Sequence, residues 1–504
     1  MLPRGLCRLE DCVASRTVSD GPAGERELQR EPILGAGSAD GKAITLIWRC
    51  LTRGWIFTML KGLIPFPGTM HGHFVGSWTM TRLDRRGFVR RCAATAATVG
   101  IPLAVPGSAL GLGQPAPSER ITFGFIGLGW KGFEGCFGSL LQSFIAFKEV
   151  QVRAVCDVDR RFCQRARQFV DKRYGREDCA AYNDFRNMID RSDIDAVVIA
   201  TPDHWHAVQT IMACTAGKDV YCEKPLSLTI EEARSMVTAA RRHARVVQTG
   251  SQSRSNPRVR AACELARDGR IGRISEVYAG CGGPSVPCPL PPAPVPDYLD
   301  WDMWLGPAPS RPYSDGIHPK AFRSFVDYSG GGVTDWGAHH FDIGQWGLGM
   351  DHTGPVEIIP PGNETERLTF KYANGVRMYH SDYEGFGGVT FLGSQGRIAV
   401  HGVDGATKMQ PESLENEVRG AVARWEDIHA NKGHYEDFLD CVRTRRRPAA
   451  DVEIGCRTVT VCHLANIAYA LKRPLKWDPV REEFRGDVEA NRMRARSKRE
   501  PWHV

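Results

Sequence analysis

The 504-residue chain lacks a clean membrane-spanning stretch. Its most apolar segment, Ile44 to Ile64, is interrupted by Arg49, Arg53 and Lys61, whereas a spanning helix needs about 20 predominantly apolar residues. An excess of one charge is missing too. Lys+Arg number 65 against 58 Asp+Glu, a net +7 with no concentrated basic stripe, which argues against a nucleic-acid partner. Cysteine is sparse, with 16 in the chain and no CxxC pair, so neither a disulfide scaffold nor a structural zinc is expected. Disorder along most of the chain is excluded by the 42% of hydrophobic residues, enough to bury a sizeable core. These exclusions leave an enzyme-sized α/β or α+β protein of roughly two to four domains.

Residues 1–79 show little periodicity and no motif, and read as a disordered, non-native upstream extension. At Met80 the order changes to paired Arg85-Arg86, Phe88, further charge at Arg90-Arg91, then an apolar run ending in Gly107 and Ala109. Charge, apolar run and small residues, in that order, make an export signal over 80–109. Its RRxF core resembles a twin-arginine signal, the route for proteins that cross the membrane folded. Translation from Met80 and cleavage after Ala109 are therefore expected, leaving a mature chain of about 395 residues. The expected setting is bacterial and periplasmic or otherwise exported, with the twin-arginine translocation machinery as partner.

A short apolar strand, Ile121 to Ile126, runs directly into Gly127-Leu128-Gly129-Trp130-Lys131-Gly132. Strand, GxGxxG and helix-compatible sequence in succession predict a dinucleotide turn. Gly127 permits the tight turn, Gly129 admits a pyrophosphate to backbone N–H groups, and Gly132 lets helix and strand pack closely. A second strand, Val150 to Cys156, ends in Asp157, 25 residues after Gly132. An acid there bonds the ribose hydroxyls of NAD and repels the 2′-phosphate of NADP, although Arg160-Arg161 nearby suits NADP. The alternation continues with helices at 161–173 and 182–189 and a buried strand at 194–200 that ends in Thr201-Pro202-Asp203-His204-Trp205-His206. A helix at 207–216, a strand at 219–222 ending in Glu223-Lys224-Pro225, a helix at 230–241 and a strand at Val246-Val247 follow. This spacing predicts a doubly wound parallel sheet over 119–248, with ligands beyond the carboxyl ends of its strands.

With GLGWKG, TPDHWH, EKP and the downstream GGGVTDWGAHHFD in this order, the chain resembles the glucose–fructose oxidoreductase / inositol dehydrogenase / MocA (Gfo/Idh/MocA) family from Ile121 to the C-terminus. The resemblance implies a Rossmann domain followed by an α/β domain with a large, mostly antiparallel open sheet, here 249–480. A homo-oligomer, dimer or tetramer, is implied as well. So is hydride transfer at a hydroxyl-bearing carbon of a sugar, cyclitol or related polyol. Lys224 matches the family lysine that contacts substrate and nicotinamide, and Asp335 and His339 match its acid/histidine pair. Four apart, these two share one face if they lie on a single helix. A neutral imidazole suits proton abstraction from an alcohol, and Lys224 suits a developing alkoxide. The cofactor set expected is Gly127, Leu128, Gly129, Trp130, Gly132, Asp157, Thr201, His204, His206, Glu223 and Lys224, for NAD ahead of NADP, with no metal.

In the region expected to face the nicotinamide, tryptophans at 301, 304 and 336 suit carbohydrate, whose apolar faces stack on rings. Arg254, His318, Arg323 and His340 are the expected substrate contacts. Pro284 to Pro296 reads as a loop or rigid arm reaching toward a neighbouring subunit. Residues 366–380 and 388–401 read as strands of the second sheet. Helices at 435–444 and 454–471 are expected to pack back near the Rossmann domain, and 481–504 reads as a C-terminal arm. Cys281 and Cys288 are the close pair that falls in a loop of the folded region, a disulfide only if the chain folds in an oxidising compartment. Because free NAD is not expected outside the cytoplasm, an exported enzyme should carry its cofactor tightly bound. Relatives that cleave glycosides through transient oxidation, and a non-catalytic sugar or cofactor sensor, are the rival readings.

Overall fold

The computed structural model describes residues 119–503, apart from 135–138, 363, 403 and 428–432. The export signal at 80–109 and the extension at 1–79 lie outside the described residues. Strand β1 (Ile121–Ile126) pairs in parallel with β2 (Val150–Cys156) on one side and β4 (Ala196–Ile199) on the other. With β3 (Ala180–Tyr182), β5 (Asp219–Cys222) and β6 (Val247–Thr249), the order is β3-β2-β1-β4-β5-β6. All four residues of β4 are fully buried, because helices cover both faces of a parallel sheet and the strand must be apolar throughout. The strand order reverses between β1 and β4, which opens a crevice beyond their carboxyl ends.

Two differences from the sequence reading have simple causes. Residues 182–189, read as one helix, divide into the end of β3 and the helix Phe185–Ile189, which Asp184 caps through the Arg186 N–H at 2.9 Å. A three-residue strand carries too few residues to show a period. The helix read from Ala207 starts at Asp203 instead. Pro202 fixes φ just ahead of the first turn, and an acid at its start faces the positive end of the helix dipole.

The second sheet has nine strands: β7 (Ile274–Ala279), β8 (Glu357–Ile359), β9 (Thr369–Lys371), β10 (Arg377–Tyr379), β11 (Val389–Gly393), β12 (Gly396–Val400), β13 (Thr407–Gln410), β14 (Leu475–Asp478) and β15 (Glu483–Phe484). Their order is β13-β12-β11-β7-β10-β9-β8-β14-β15, antiparallel except for the β7–β10 pair. Segments 366–380 and 388–401, each read as a strand, are each a hairpin, turning at Asn374-Gly375 and at Ser394-Gln395. One face of the sheet packs on the helices Pro257–Arg267, Gly337–Gly347 and Val452–Leu471, with Phe341, Phe370, Phe391 and Trp477 in the core. The fold is thus a Rossmann-type parallel sheet joined to an α/β domain with a mostly antiparallel sheet.

The helices His434–Thr444 and Val452–Leu471 return to the first domain, where Phe438 lies 6.3 Å from Phe123 and Cys456 and Val459 join the core beside β5. The C-terminal tail, read as an arm, is packed down. The Trp502 ring meets Trp205 edge-on at 4.7 Å, and Arg499 donates to the Gly306 carbonyl at 2.9 Å. The proline-rich segment begins by bridging its own domain, Pro284 to Gly331 and Val286 to Phe325. Cys281 and Cys288 are both free thiols. Among the described residues no helix is long and apolar enough to cross a membrane, and no group of three or more His, Cys, Asp or Glu is arranged to hold a metal.

Candidate active site

The glycine loop leaves β1 at Gly127, whose φ of +83° only glycine adopts freely. A Cβ at Gly132 would sit 1.9 Å from the Gly127 carbonyl oxygen, so this glycine serves close packing and does not line the crevice. A Cβ at Gly129 would meet only the Phe162 ring, at 3.6 Å, so its backbone faces open space. Gly127, Gly129, Trp130 and Lys131 form one wall of the crevice, Asp157 and Val158 a second, and Thr201 and Pro202 a third. The second domain closes it with Met303, Trp304, His318, Pro319, Phe322 and Arg323. A cradle of backbone with no side chain in the way, at the switch point of a doubly wound sheet, fits a dinucleotide.

Several expected cofactor residues have other work. Leu128 is fully buried, and its N–H goes to Asp157 Oδ2 at 2.6 Å. Asp157 also accepts the Asp159 N–H at 2.8 Å, and burial pushes its carboxyl up to about 6 against those two bonds. Glu223 lies beneath Lys224, taking the Lys224 N–H at 3.2 Å and Gln252 Nε2 at 2.8 Å, and does not line the crevice. His206 is held between the carbonyls of Pro225 (2.8 Å) and Thr201 (2.9 Å), and His204 bonds the Trp304 carbonyl at 3.0 Å. Both rings are about 1% exposed and face away from the crevice, so they brace the turn instead of lining it. Buried side chains at a helix start need fixed partners, and backbone carbonyls supply them. Thr201 does line the crevice, its hydroxyl donating to Gln209 Oε1 at 2.8 Å.

Arg161, one half of the pair that suits NADP, is engaged elsewhere. It pairs with buried Asp159 at 2.7 Å and its guanidinium lies 3.4 Å from the Tyr298 ring centre, while Arg160 bonds the Asp297 carbonyl. Asp157→Ala is therefore expected to raise NADP affinity relative to NAD. Loss of a charged acceptor worth ~1.5–3 kcal/mol corresponds to a shift of roughly 10- to 100-fold. Titrating both cofactors against wild type and variant checks it; an unchanged ratio would take the carboxylate out of ribose recognition.

Past the crevice, Lys224 leaves the end of β5 and places its ammonium 2.6 Å from Asp335 Oδ1 and 3.0 Å from the Asp335 carbonyl. Burial pushes the Asp335 carboxyl up, but Lys224 and then Arg323, 3.8 Å away, outweigh it and hold the group below its ordinary range. Asp335 ends the short helix Gly332–Asp335, and His339 sits in the next helix, Gly337–Gly347. The single shared helix face is thus incorrect. Trp336 separates the two helices, and its carbonyl caps the second through the N–H groups of His339 and His340.

His339 is 8% exposed and its Nδ1 lies 3.4 Å from Ser253 Oγ. The one hydroxyl proton of Ser253 goes to the Gly402 carbonyl, so Nδ1 must carry the hydrogen and Nε2 the free lone pair. Burial, then the charges of Lys224 and Lys131 and the rings of His340 and His434, push the imidazole well below its usual value. The ring is therefore disposed to stay neutral, with Nε2 able to accept a proton. Ser253 and Gly402 escaped sequence reasoning because only packing brings them beside position 339, and no local spacing signals it.

The expected substrate residues separate. Arg323 lines the crevice beside Asp335. His318 lies on the cofactor side, 3.3 Å from Asp159 and 5.7 Å from the Phe162 ring. Arg254 is a correction: 4% exposed, it is bidentate to Asp342 at 2.8 Å and bonds Asp351 at 2.7 Å. His340 is another, only 2% exposed with Nδ1 on the Gly280 carbonyl. A buried charge or ring nitrogen requires such partners whatever the ligand. Asp203, which sequence spacing did not single out, accepts Ser329 Oγ at 2.6 Å, and burial pushes it up to about 7.

Comparison with known proteins follows the same division. An oxidoreductase-family NAD-binding Rossmann model matches residues 121–251, and the family's C-terminal alpha/beta domain model matches 287–504. The chain is 33% identical over 180 residues to an alpha-N-acetylgalactosaminidase of Shewanella oneidensis and, over the same length, to a glycosyl hydrolase family 109 protein of Shewanella sp. strain ANA-3. Each match spans 32% of this chain and 38% of the relative, well under half its length. Among solved structures, the WlbA dehydrogenase of Bordetella pertussis, in complex with NADH and UDP-GlcNAcA, is similar at 19% identity, covering 72% of this chain and 99% of that one with TM-score 0.49. The aldose-aldose oxidoreductase of Caulobacter crescentus is similar at 18% identity, covering 71% and 99% with TM-score 0.47. With the two family models covering more than half of its length between them, the chain belongs to the Gfo/Idh/MocA oxidoreductase family.

Proposed function

We propose that the protein is an NAD-dependent oxidoreductase that moves hydride at a hydroxyl-bearing carbon of a sugar, cyclitol or related polyol, with its cofactor held tightly. The observation that carries the reading is the triad of Lys224, Asp335 and His339 beyond the dinucleotide crevice. Gly127, Gly129, Trp130, Asp157 and Thr201 would hold the cofactor, which supplies hydride acceptance at its nicotinamide. His339 Nε2 takes the hydroxyl proton. Lys224, oriented by Asp335, donates to the substrate oxygen and stabilises negative charge as it develops. Burial holds the imidazole well below its usual value, so the acid limb of kcat/KM is expected below that of an ordinary histidine. Below that limb the ring is protonated and cannot accept; a limb centred above pH 7 would assign the proton to another group.

A second reading has support of its own in the identity to the Shewanella oneidensis alpha-N-acetylgalactosaminidase. The same lysine and histidine suit transient oxidation, elimination of an aglycone, addition of water and reduction back, with no net redox change. Purified protein analysed for bound NAD(H) by absorbance and mass, then offered free sugars and glycosides, separates the two. Reduction of the cofactor by a free sugar supports the dehydrogenase. Release of an aglycone with the cofactor spectrum restored supports the glycosidase. Ligand binding with neither outcome would sink both and leave a sensor. The Arg85-Arg86 signal supports export of the loaded protein by the twin-arginine route, and the family supports a homo-oligomer.

A further inference from the structure

The C-terminal tail touches both domains and packs against two rings that line the dinucleotide crevice. Those rings are Phe185, in the helix Phe185–Ile189, and Trp205, in the helix Asp203–Thr215. Trp502 does not line the crevice; its ring centre lies 4.7 Å from that of Trp205 and 6.0 Å from that of Phe185. Phe185 and Trp205 meet edge-on at 5.3 Å, so the three buried rings form one closed cluster. The second domain is fastened to the same cluster. Trp205 Nε1 donates to the Trp304 carbonyl at 2.9 Å, and a Cβ at Gly306 would lie 1.9 Å from the Trp205 ring. Arg499 closes on that backbone, donating to the carbonyls of Gly306 at 2.9 Å and Asp302 at 2.7 Å. Upstream, the tail is tied to the first-domain helix Ile230–Arg242. Lys498 pairs there with Glu232 at 3.2 Å, and the Arg494 carbonyl accepts the Glu231 N–H at 3.1 Å. Between Arg494 and Trp502 the chain thus grips the first domain, then the second, then the first again.

We infer that residues 494–502 are a strap that holds the dinucleotide crevice at its working width, with Trp502 as a positioning residue acting through Trp205 and Phe185. A crevice between two domains keeps its shape only while the domains keep their separation, and domains within one chain move by default unless their interface is fixed. A ligand enclosed between such walls leaves only as they part, so a strap across the boundary acts chiefly on release. Packed aromatic rings suit this work, since edge-on pairs fix an angle as well as burying area. The inference rests on the dinucleotide reading of the crevice and deepens it, and it is independent of which substrate is oxidised.

Exchange of bound NAD against isotope-labelled NAD on the full chain, read by mass spectrometry well below the unfolding temperature, tests it. Trp502→Ala is expected to speed release about 10-fold and to raise the Kd for NAD with it. Trp502→Phe, which keeps a ring on Trp205, should speed release only about twofold. Arg499→Met frees the tail from the second domain and leaves the ring cluster intact; about a threefold acceleration is expected, and this variant decides the matter if Trp502→Ala does not fold. Arg254→Ala, which weakens the second domain away from the crevice, is the control for a mere loss of stability. Acceleration graded in that order, and beyond the control, supports the strap. Release from Trp502→Ala or Arg499→Met no faster than from the control overturns it and leaves the dinucleotide reading standing. A wild-type protein that binds neither NAD nor NADP overturns both.

Discussion

Lys224→Met is expected to lower turnover about 10²–10³-fold, the loss that follows removal of one preorganised donor aimed at developing charge. Methionine keeps the length and the apolar stem, so the effect reports the ammonium and not a hole. Two consequences add. The substrate oxygen loses its donor, and Asp335, now without the charge 2.6 Å away, is left partly buried with only Arg323 to offset it. Its carboxyl then moves up, toward the ordinary range or beyond. NAD affinity should change little, because the dinucleotide crevice is lined by Gly127, Gly129 and Asp157 and not by Lys224. Single-turnover reduction of bound cofactor, beside cofactor titration, measures both. A variant that turns over like wild type removes Lys224 from the chemistry.

Arg254→Ala is expected to destabilise the fold by about 3–5 kcal/mol, the cost of breaking a buried ion pair from one side. Asp342, 1% exposed, would lose both of its charged bonds and keep only the Thr458 hydroxyl at 2.6 Å. Asp351 would lose its partner, and the Trp346 ring the guanidinium 5.0 Å from its centre. Arg254→Lys should rescue only part, since a point charge cannot be bidentate. Urea or thermal denaturation reads the loss. A fully stable variant with a raised KM would instead restore Arg254 to the substrate site.

That second prediction shows where sequence and structure part. Arg254 follows the last Rossmann strand, in the region expected to face the nicotinamide, so a substrate role was a reasonable reading. Nothing local reveals that Asp342 and Asp351, about ninety residues on, enclose it. The same holds for His340, which is adjacent to His339 in sequence yet turned onto a backbone carbonyl. By contrast β1, β2 and the glycine turn were legible to the residue, because β1 is almost wholly apolar, β2 alternates buried apolar residues with Gln151 and Arg153, and an αL turn needs glycine. Hairpins at 369–379 and 389–400 were not, since each strand has only three to five residues and the short turns at Asn374-Gly375 and Ser394-Gln395 interrupt the pattern only briefly.

The sequence by itself determined the doubly wound domain and the dinucleotide turn and singled out Lys224, Asp335 and His339 as candidates through the EKP and D-x-x-x-H motifs, since each depends on residue type and near-neighbour order. Tertiary structure alone decided which charges are spent on folding, as with Arg254 and Asp159, and which are left for chemistry. It also decided the tautomer of His339, through a serine hydroxyl 86 residues away whose proton is already taken. Burial and hydrogen-bond partners come from packing between distant segments, and packing is a property of the folded chain that no local pattern carries.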